Sequence, residues 1–226
     1  MGPAALVLID VVNPLDFEGG EELLRHAEPM ARRIAELQRR TREVGIPTVY
    51  VNDNFDAWHL GFRELVEKVR SGEERGRALL DVLEPDARRD YFVLKPMHSG
   101  FYCSALEVLL QRLGARTLIL GGIAADICVF LTASDAYMRG FDLVVPADCV
   151  ACEREERKQR ALEQMERVLK SDIRPARELR LAPGPEGGYV EPAEGAEAQP
   201  GGVPRRLVAR VAHPAPRAAQ AAQERR

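Results

Sequence analysis

The amino-acid sequence predicts a doubly wound α/β domain, with three α/β/α layers built around a mostly parallel sheet. Three observations predict it. Short apolar runs recur along the chain and alternate with segments of helical periodicity. Those runs are nearly continuous, as in strands buried on both faces. The junctions between them are short and rich in Gly, Pro, Asn and Asp.

Ala4 to Ile9 is the first such run and ends at Asp10. A loop with Asn13, Pro14 and Gly19-Gly20 follows. Glu21 to Val44 repeats Leu24, Met30, Ile34 and Leu37 at roughly helical spacing, and Gly45 stops it. Ile46 to Val51 is the second strand, closed by Asn52, Asp53 and Asn54. Trp58 to Arg70 is a short amphipathic segment broken at Ser71-Gly72, and Ala78 to Leu83 is a helical turn. Tyr91 to Leu94 is the third strand, ending at Lys95-Pro96. Cys103 to Leu113 places Leu106, Leu109, Leu110 and Leu113 inward. Thr117 to Leu120 is the fourth strand, with Gly121-Gly122 behind it. Asp126 to Met138 is helical, Phe141 to Val145 is the fifth strand, and Arg154 to Leu169 is the last long helix. Ile173 begins an edge element.

The domain is expected over residues 1–181. Beyond Leu181 Pro, Gly, Ala, Glu and Arg dominate, so residues 182–226 read as a flexible tail. Its one apolar cluster, Leu207 to Val211, is too small for a core, although Arg205 to Val211 is long enough to pack on the domain or on a neighbouring subunit.

The chain has 226 residues, enough for one well-buried core. Its formal charge of -3 gives no case for a nucleic-acid partner, which calls for a strongly basic patch. No apolar run is long enough to span a bilayer, and the first one meets Asp10 too soon for a secretory signal. The expected location is the cytoplasm. The four cysteines, Cys103, Cys128, Cys149 and Cys152, form no paired zinc knuckles. Cys149 and Cys152 read C-V-A-C, but the strand-to-helix context of a redox pair is missing, so the spacing is taken as incidental. No G-x-G-x-x-G or G-K-[ST] loop occurs, which argues against FAD, NAD and ATP.

In an open parallel sheet ligands bind beyond the carboxyl ends of the strands. Asp10, Asp53 and Lys95 fall there, and Cys128 lies just past the fourth strand in the first turn of a helix. Helix N–H groups and a nearby lysine both favour a thiolate, so Cys128 is a candidate nucleophile. Asp10 is a candidate base, and the small residues Gly121 to Asp126 suit a turn whose N–H groups face an oxyanion. Position alone also admits a buried structural cysteine, a surface lysine and a strand-end turn carboxylate. Phe17, Phe55, Trp58, Phe101 and Tyr102 are candidates for an aromatic wall, with Trp58 preferred. Asn52, Asp53 and Asn54 line or buttress the pocket.

Three blocks carry a resemblance. They are Leu6-Val7-Leu8-Ile9-Asp10-Val11-Val12-Asn13 with Asp16-Phe17, then Lys95-Pro96-Met97-His98-Ser99-Gly100-Phe101, then Gly121-Gly122-Ile123-Ala124-Ala125-Asp126-Ile127-Cys128-Val129 with Thr132-Ala133 and Asp135-Ala136. From Ala4 to Ile173 the chain resembles the isochorismatase-like cysteine hydrolases, which include nicotinamidases and N-carbamoylsarcosine amidohydrolase. The resemblance implies a catalytic triad of Asp10, Lys95 and Cys128. It also implies a cis peptide between Ile123 and Ala124, an oxyanion hole of the Ala124 and Cys128 N–H groups, and a thioester route to C–N bond cleavage in a small molecule. Phe17, Asp53, Asn54 and Trp58 are then the substrate-lining candidates.

Nicotinamidases resemble one another in an Asp-x-His pair plus a further histidine that hold a metal. Here Asn54 and Phe55 follow Asp53, His59 comes too late, and His26, His98 and His213 form no ligand set with it. No metal and no cofactor are therefore expected. Relatives that hydrolyse isochorismate lack the cysteine, so Cys128 argues against that activity. The resemblance further implies a homo-oligomer, a dimer or tetramer. The competing reading keeps the fold but gives Cys128 another hydrolysis, or a redox or metabolite-binding role.

Overall fold

The computed structural model describes residues 2–72 and 74–191. Among them, six strands form one parallel sheet: β1 (Ala4–Ile9), β2 (Thr48–Asp53), β3 (Tyr91–Lys95), β4 (Thr117–Ile123), β5 (Asp142–Val144) and β6 (Val150–Ala151). The order is β3-β2-β1-β4-β5, with β6 beside the far end of β4. The chain winds outward from β1 to β3, then returns to β4 on the other side of β1. The crevice between the ends of β1 and β4 is the switch point of a doubly wound sheet.

Residue alternation divides the sheet's two faces. Leu6, Leu8, Tyr50 and Ile119 pack on one face against Leu23, Ile34 and Leu37 of α1 (Gly20–Glu43), Leu65 and Val69 of α2 (Phe62–Ser71) and Leu79 of α3 (Glu74–Leu80). Val7, Ile9, Val49, Val51 and Leu120 pack on the other. Their partners are Leu106 and Leu110 of α4 (Leu106–Arg112), Ala133 and Ala136 of α5 (Phe130–Met138), and Leu162 and Met165 of α6 (Glu155–Leu169). The layers are thus α/β/α, and the continuous apolar strands follow from burial on both faces.

Several elements differ from the sequence expectation, among them the helical turn expected at Ala78 to Leu83, which is α3 at Glu74–Leu80. Helix α4 starts at Leu106 rather than Cys103, because Ser104 Oγ accepts the Leu106 N–H at 3.1 Å and Cys103 has a φ of 46°. Strand β4 runs on through Gly121, Gly122 and Ile123, which pair with β1 and β6. Residues Ala125–Val129 form a π-helical turn ahead of α5. Strand β6 occupies the C-V-A-C stretch and sends Cys149 to one core and Cys152 to the other. Opposite faces of a sheet are a poor place for a redox pair, and all four cysteines are free thiols.

The edge element expected at Ile173 is an isolated bridge between Val144 and Asp172. The expected tail boundary at 181/182 falls inside a hairpin, β7 (Leu181–Ala182) with β8 (Tyr189–Val190). Val190 is buried and the Ala4 N–H donates to the Gly188 carbonyl at 2.8 Å. Ordered packing therefore continues past Leu181, because the hairpin shields the start of β1. The rest of the expected tail, Arg205 to Val211 included, lies outside the described residues. Among the described residues, no helix is long and apolar enough to cross a membrane.

Candidate active site

Strands β1, β2 and β3 each run out into a polar residue at this edge: Asp10, Asp53 and Lys95. Asp10 follows β1 with a φ of 53°, a left-handed conformation that Asp tolerates better than most side chains. Its N–H stays on the sheet by donating to the Val51 carbonyl at 3.0 Å. Asp53 and Lys95 are register partners at the ends of β2 and β3 and so emerge on the same face. Asn52 is wholly buried and clamps the loop after β1: its Oδ1 accepts the Val12 N–H at 3.1 Å and its Nδ2 donates to the Val12 carbonyl at 2.8 Å.

The Lys95 ammonium is the hub. It lies 2.9 Å from Asp10 Oδ2 and 3.4 Å from Asp53 Oδ2. It also donates to the Met97 carbonyl at 3.1 Å and approaches Cys128 Sγ to 3.7 Å. The second Asp10 oxygen, Oδ1, accepts the Asp53 N–H at 2.7 Å. Asp10, Lys95 and Cys128 come from three distant parts of the chain and meet at one point. Ile123–Ala124, which leads into the cysteine's turn, is a cis peptide.

Burial pushes the Asp10 carboxyl above its ordinary range, against the pull of the Lys95 ammonium. Burial alone would lower Lys95, yet the negative charges around it, Asp10 first, raise it. Burial and then the Asp10 carboxylate push the Cys128 thiol up to about 12, and Lys95 only partly offsets them. The sequence reading expected helix N–H groups and lysine to favour a thiolate at rest. Desolvation and the adjacent carboxylates outweigh the ammonium instead and favour the thiol form at rest.

Cys152 is likewise lifted to about 12 and Cys149 well above its usual value, both chiefly by burial. A free thiol titrates near about 8.5. Folded values raised in this way leave stability complete below that pH and remove it as pH climbs toward 12. Urea midpoints followed from neutral pH to about pH 11 are expected to fall over the alkaline half. The fall should be shallower in Cys152→Ala; an identical slope would show that its thiol does not drive the loss.

The expected substrate-lining residues are placed unequally. Asp53 joins the charged cluster. Asn54 is buried in its own turn: its Oδ1 accepts the Asp56 N–H at 3.1 Å and its carbonyl accepts the Ala57 N–H at 2.9 Å. Phe17 and Trp58 stand 42% and 71% exposed, and the Trp58 indole N–H donates to Asp56 Oδ1 at 2.8 Å. Sequence reasoning missed His98, whose Nδ1 lies 3.8 Å from Cys128 Sγ. The available signal was its place in the second block, three residues past Lys95 at the same sheet edge. Among the described residues, no group of three or more His, Cys, Asp or Glu side chains is placed to hold a metal ion. Asp53 would be a poor ligand as it stands, since Oδ2 faces an ammonium and Oδ1 accepts the Phe55 N–H at 2.7 Å.

The family model of the isochorismatase domain matches residues 4–172. The chain belongs to the isochorismatase family. Among its relatives, the uncharacterized family protein YaaI of Bacillus subtilis (strain 168) is 37% identical over 170 residues, spanning 75% of this chain and 92% of that protein. The ureidoacrylate amidohydrolase RutB of Methylorubrum extorquens is 29% identical over 168 residues, 63% of this chain and 67% of that one. The crystal structure of N-carbamoylsarcosine amidase from Thermoplasma acidophilum matches with a TM-score of 0.60 at 27% identity, covering 78% of this chain and 98% of that chain.

Proposed function

We propose that the protein is a metal-independent cysteine hydrolase that cleaves an amide or carbamoyl C–N bond of a small molecule through a thioester on Cys128. The observation that carries this reading is the meeting of Cys128 Sγ with the buried Asp10–Lys95 pair, at 3.7 Å from the ammonium. Asp10 accepts the thiol proton as the sulfur attacks the carbonyl carbon. Its raised basicity suits it to that task, and Lys95 holds the ionised groups in place. The N–H groups of Ala124 and Cys128 stabilise the oxyanion. The departing amine or ammonia takes the proton, and water activated by the same carboxylate hydrolyses the thioester.

Named activities of the amidohydrolase relatives support the bond type. Phe17 and Trp58, exposed on the loops after β1 and β2, are proposed to contact the substrate's apolar part. Asp53 and Asn54 are proposed to shape its polar end. We further propose that the chain works in the cytoplasm and, through the same resemblance, as a homo-oligomer.

Ammonia and amine release from a panel of simple amides, ureas and carbamoyl compounds tests the reading. At least one is expected to turn over, and Cys128→Ala is expected to abolish it, a loss of about a thousandfold or more. Full turnover by folded Cys128→Ala protein would dismiss the sulfur as nucleophile.

A further inference from the structure

The Cys128 sulfur has two sides. Asp10 and Lys95 lie on the buried one. On the other stands His98, exposed, with Nδ1 3.8 Å from Sγ. The charged and titratable groups facing the sulfur are therefore Asp10 from the end of β1, Asp53 from β2, Lys95 from β3 and His98 from the loop after β3. The reading above uses Asp10 and Lys95 in the chemistry and Asp53 at the substrate's polar end, and leaves the imidazole without a task.

The backbone beneath that imidazole is tied to the nucleophile. The Met97 carbonyl accepts the Lys95 ammonium at 3.1 Å, and Ser99 Oγ donates to Asp135 Oδ2 at 2.5 Å. The Gly100 N–H donates to Thr132 Oγ1 at 2.9 Å, and the Thr132 hydroxyl donates in turn to the Cys128 carbonyl at 2.7 Å. Thr132 is wholly buried, so this relay runs out of reach of water. Asp10, meanwhile, is a constrained base, with Oδ1 accepting the Asp53 N–H and Oδ2 paired to Lys95.

We propose that His98 is a further catalytic residue: with both Asp10 oxygens engaged, its Nδ1 offers the single Cys128 thiol proton a second, solvent-facing acceptor, an alternative route to the one through Asp10, and passes it to the departing nitrogen. On this route the S–H bond breaks and an Nδ1–H bond forms, while the sulfur's electron pair makes the S–C bond and the C=O π pair moves onto oxygen, to return as the C–N bond breaks. When the C–N bond breaks, the nitrogen's electron pair takes the proton from Nδ1 and the imidazole returns to neutral. The step requires the tautomer with its hydrogen on Nε2, which leaves Nδ1 as acceptor.

This role rests on Cys128 as nucleophile, but its test needs no substrate. The probe is iodoacetamide at neutral pH on the full chain, with modification read on the Cys128 peptide by mass. His98→Ala is expected to slow Cys128 alkylation about tenfold or more, and free imidazole to restore part of the rate. His98→Gln keeps a hydrogen-bonding group that cannot carry the proton, and is expected to be as slow as His98→Ala. Wild-type rates in His98→Ala would overturn the proposal. So would wild-type rates in His98→Gln, which would reduce the ring to a hydrogen-bonding wall. Activity surviving in Cys128→Ala would instead remove the nucleophile reading, and the two failures are distinct.

Discussion

Lys95→Met is expected to cost about 3–5 kcal/mol of folding stability and to abolish turnover. The side chain is fully buried, and its ammonium is the shared counter-charge of Asp10 and Asp53. Methionine fills much the same volume, so the loss is electrostatic rather than a cavity. It leaves the Asp10 carboxylate in a nearly dry site without its cation, and burial already holds that carboxyl above its ordinary range. Removing the ammonium raises it further. A raised folded value means that stability is retained at low pH and lost as pH rises through it. The deficit of Lys95→Met should therefore be larger at about pH 8 than at about pH 5, which urea midpoints at the two pH values read directly. Asp10→Asn in the same chain should recover part of the loss, because the stranded charge is gone. Equal stability of Lys95→Met and wild type at the higher pH would mean that the pair does not hold the site together.

The polar ends of β1, β2 and β3 are legible in the sequence because each interrupts an apolar run, and an α/β sheet brings such interruptions to one edge. Strand β1 is legible to its boundaries for the same reason, as Ala4–Ile9 is buried at every position. Other features depend on contacts that no local pattern encodes. Strand β6 is two residues long and exists through its pairing with Gly122 and Ile123. The π-helical turn that carries Cys128 adds one residue per turn without altering the apolar spacing around it. The thiol's upward shift depends on how deeply three separate strand ends bury it, and residue types at a helix start suggest the opposite sign. His98 is hidden by the question asked of it. As a metal ligand it has no partners, whereas its partner is a sulfur thirty residues on, brought close by the Gly100–Thr132–Cys128 relay.

Gly122→Ala should be the most damaging single methyl in the chain's central crevice. Gly122 pairs with Ile9 where β1 and β4 run side by side, one residue before Asp10 and six before Cys128. Its φ of 120° is one that L side chains rarely adopt. An added Cβ would sit 2.0 Å from the Ile9 carbonyl oxygen and 2.8 Å from its nitrogen. Both are backbone atoms of a fully buried strand, so no side-chain rotation relieves the overlap. Either β4 withdraws from β1 or the turn to Cys128 is redirected, and both separate the Cys128 sulfur from the Asp10–Lys95 pair. The expected cost exceeds about 3 kcal/mol, with turnover lost even in the protein that folds. Gly114→Ala is the matched control. It too has a positive φ, 66°, but nothing lies within 4 Å of the added carbon, so it should cost only about 1 kcal/mol and leave activity intact. Urea midpoints of the two variants set a left-handed position that an L residue adopts at small cost against one that combines a harsher φ with the collision. Equal losses would mean that neither the harsher φ nor the close approach of β1 and β4 at Gly122 carries energetic weight.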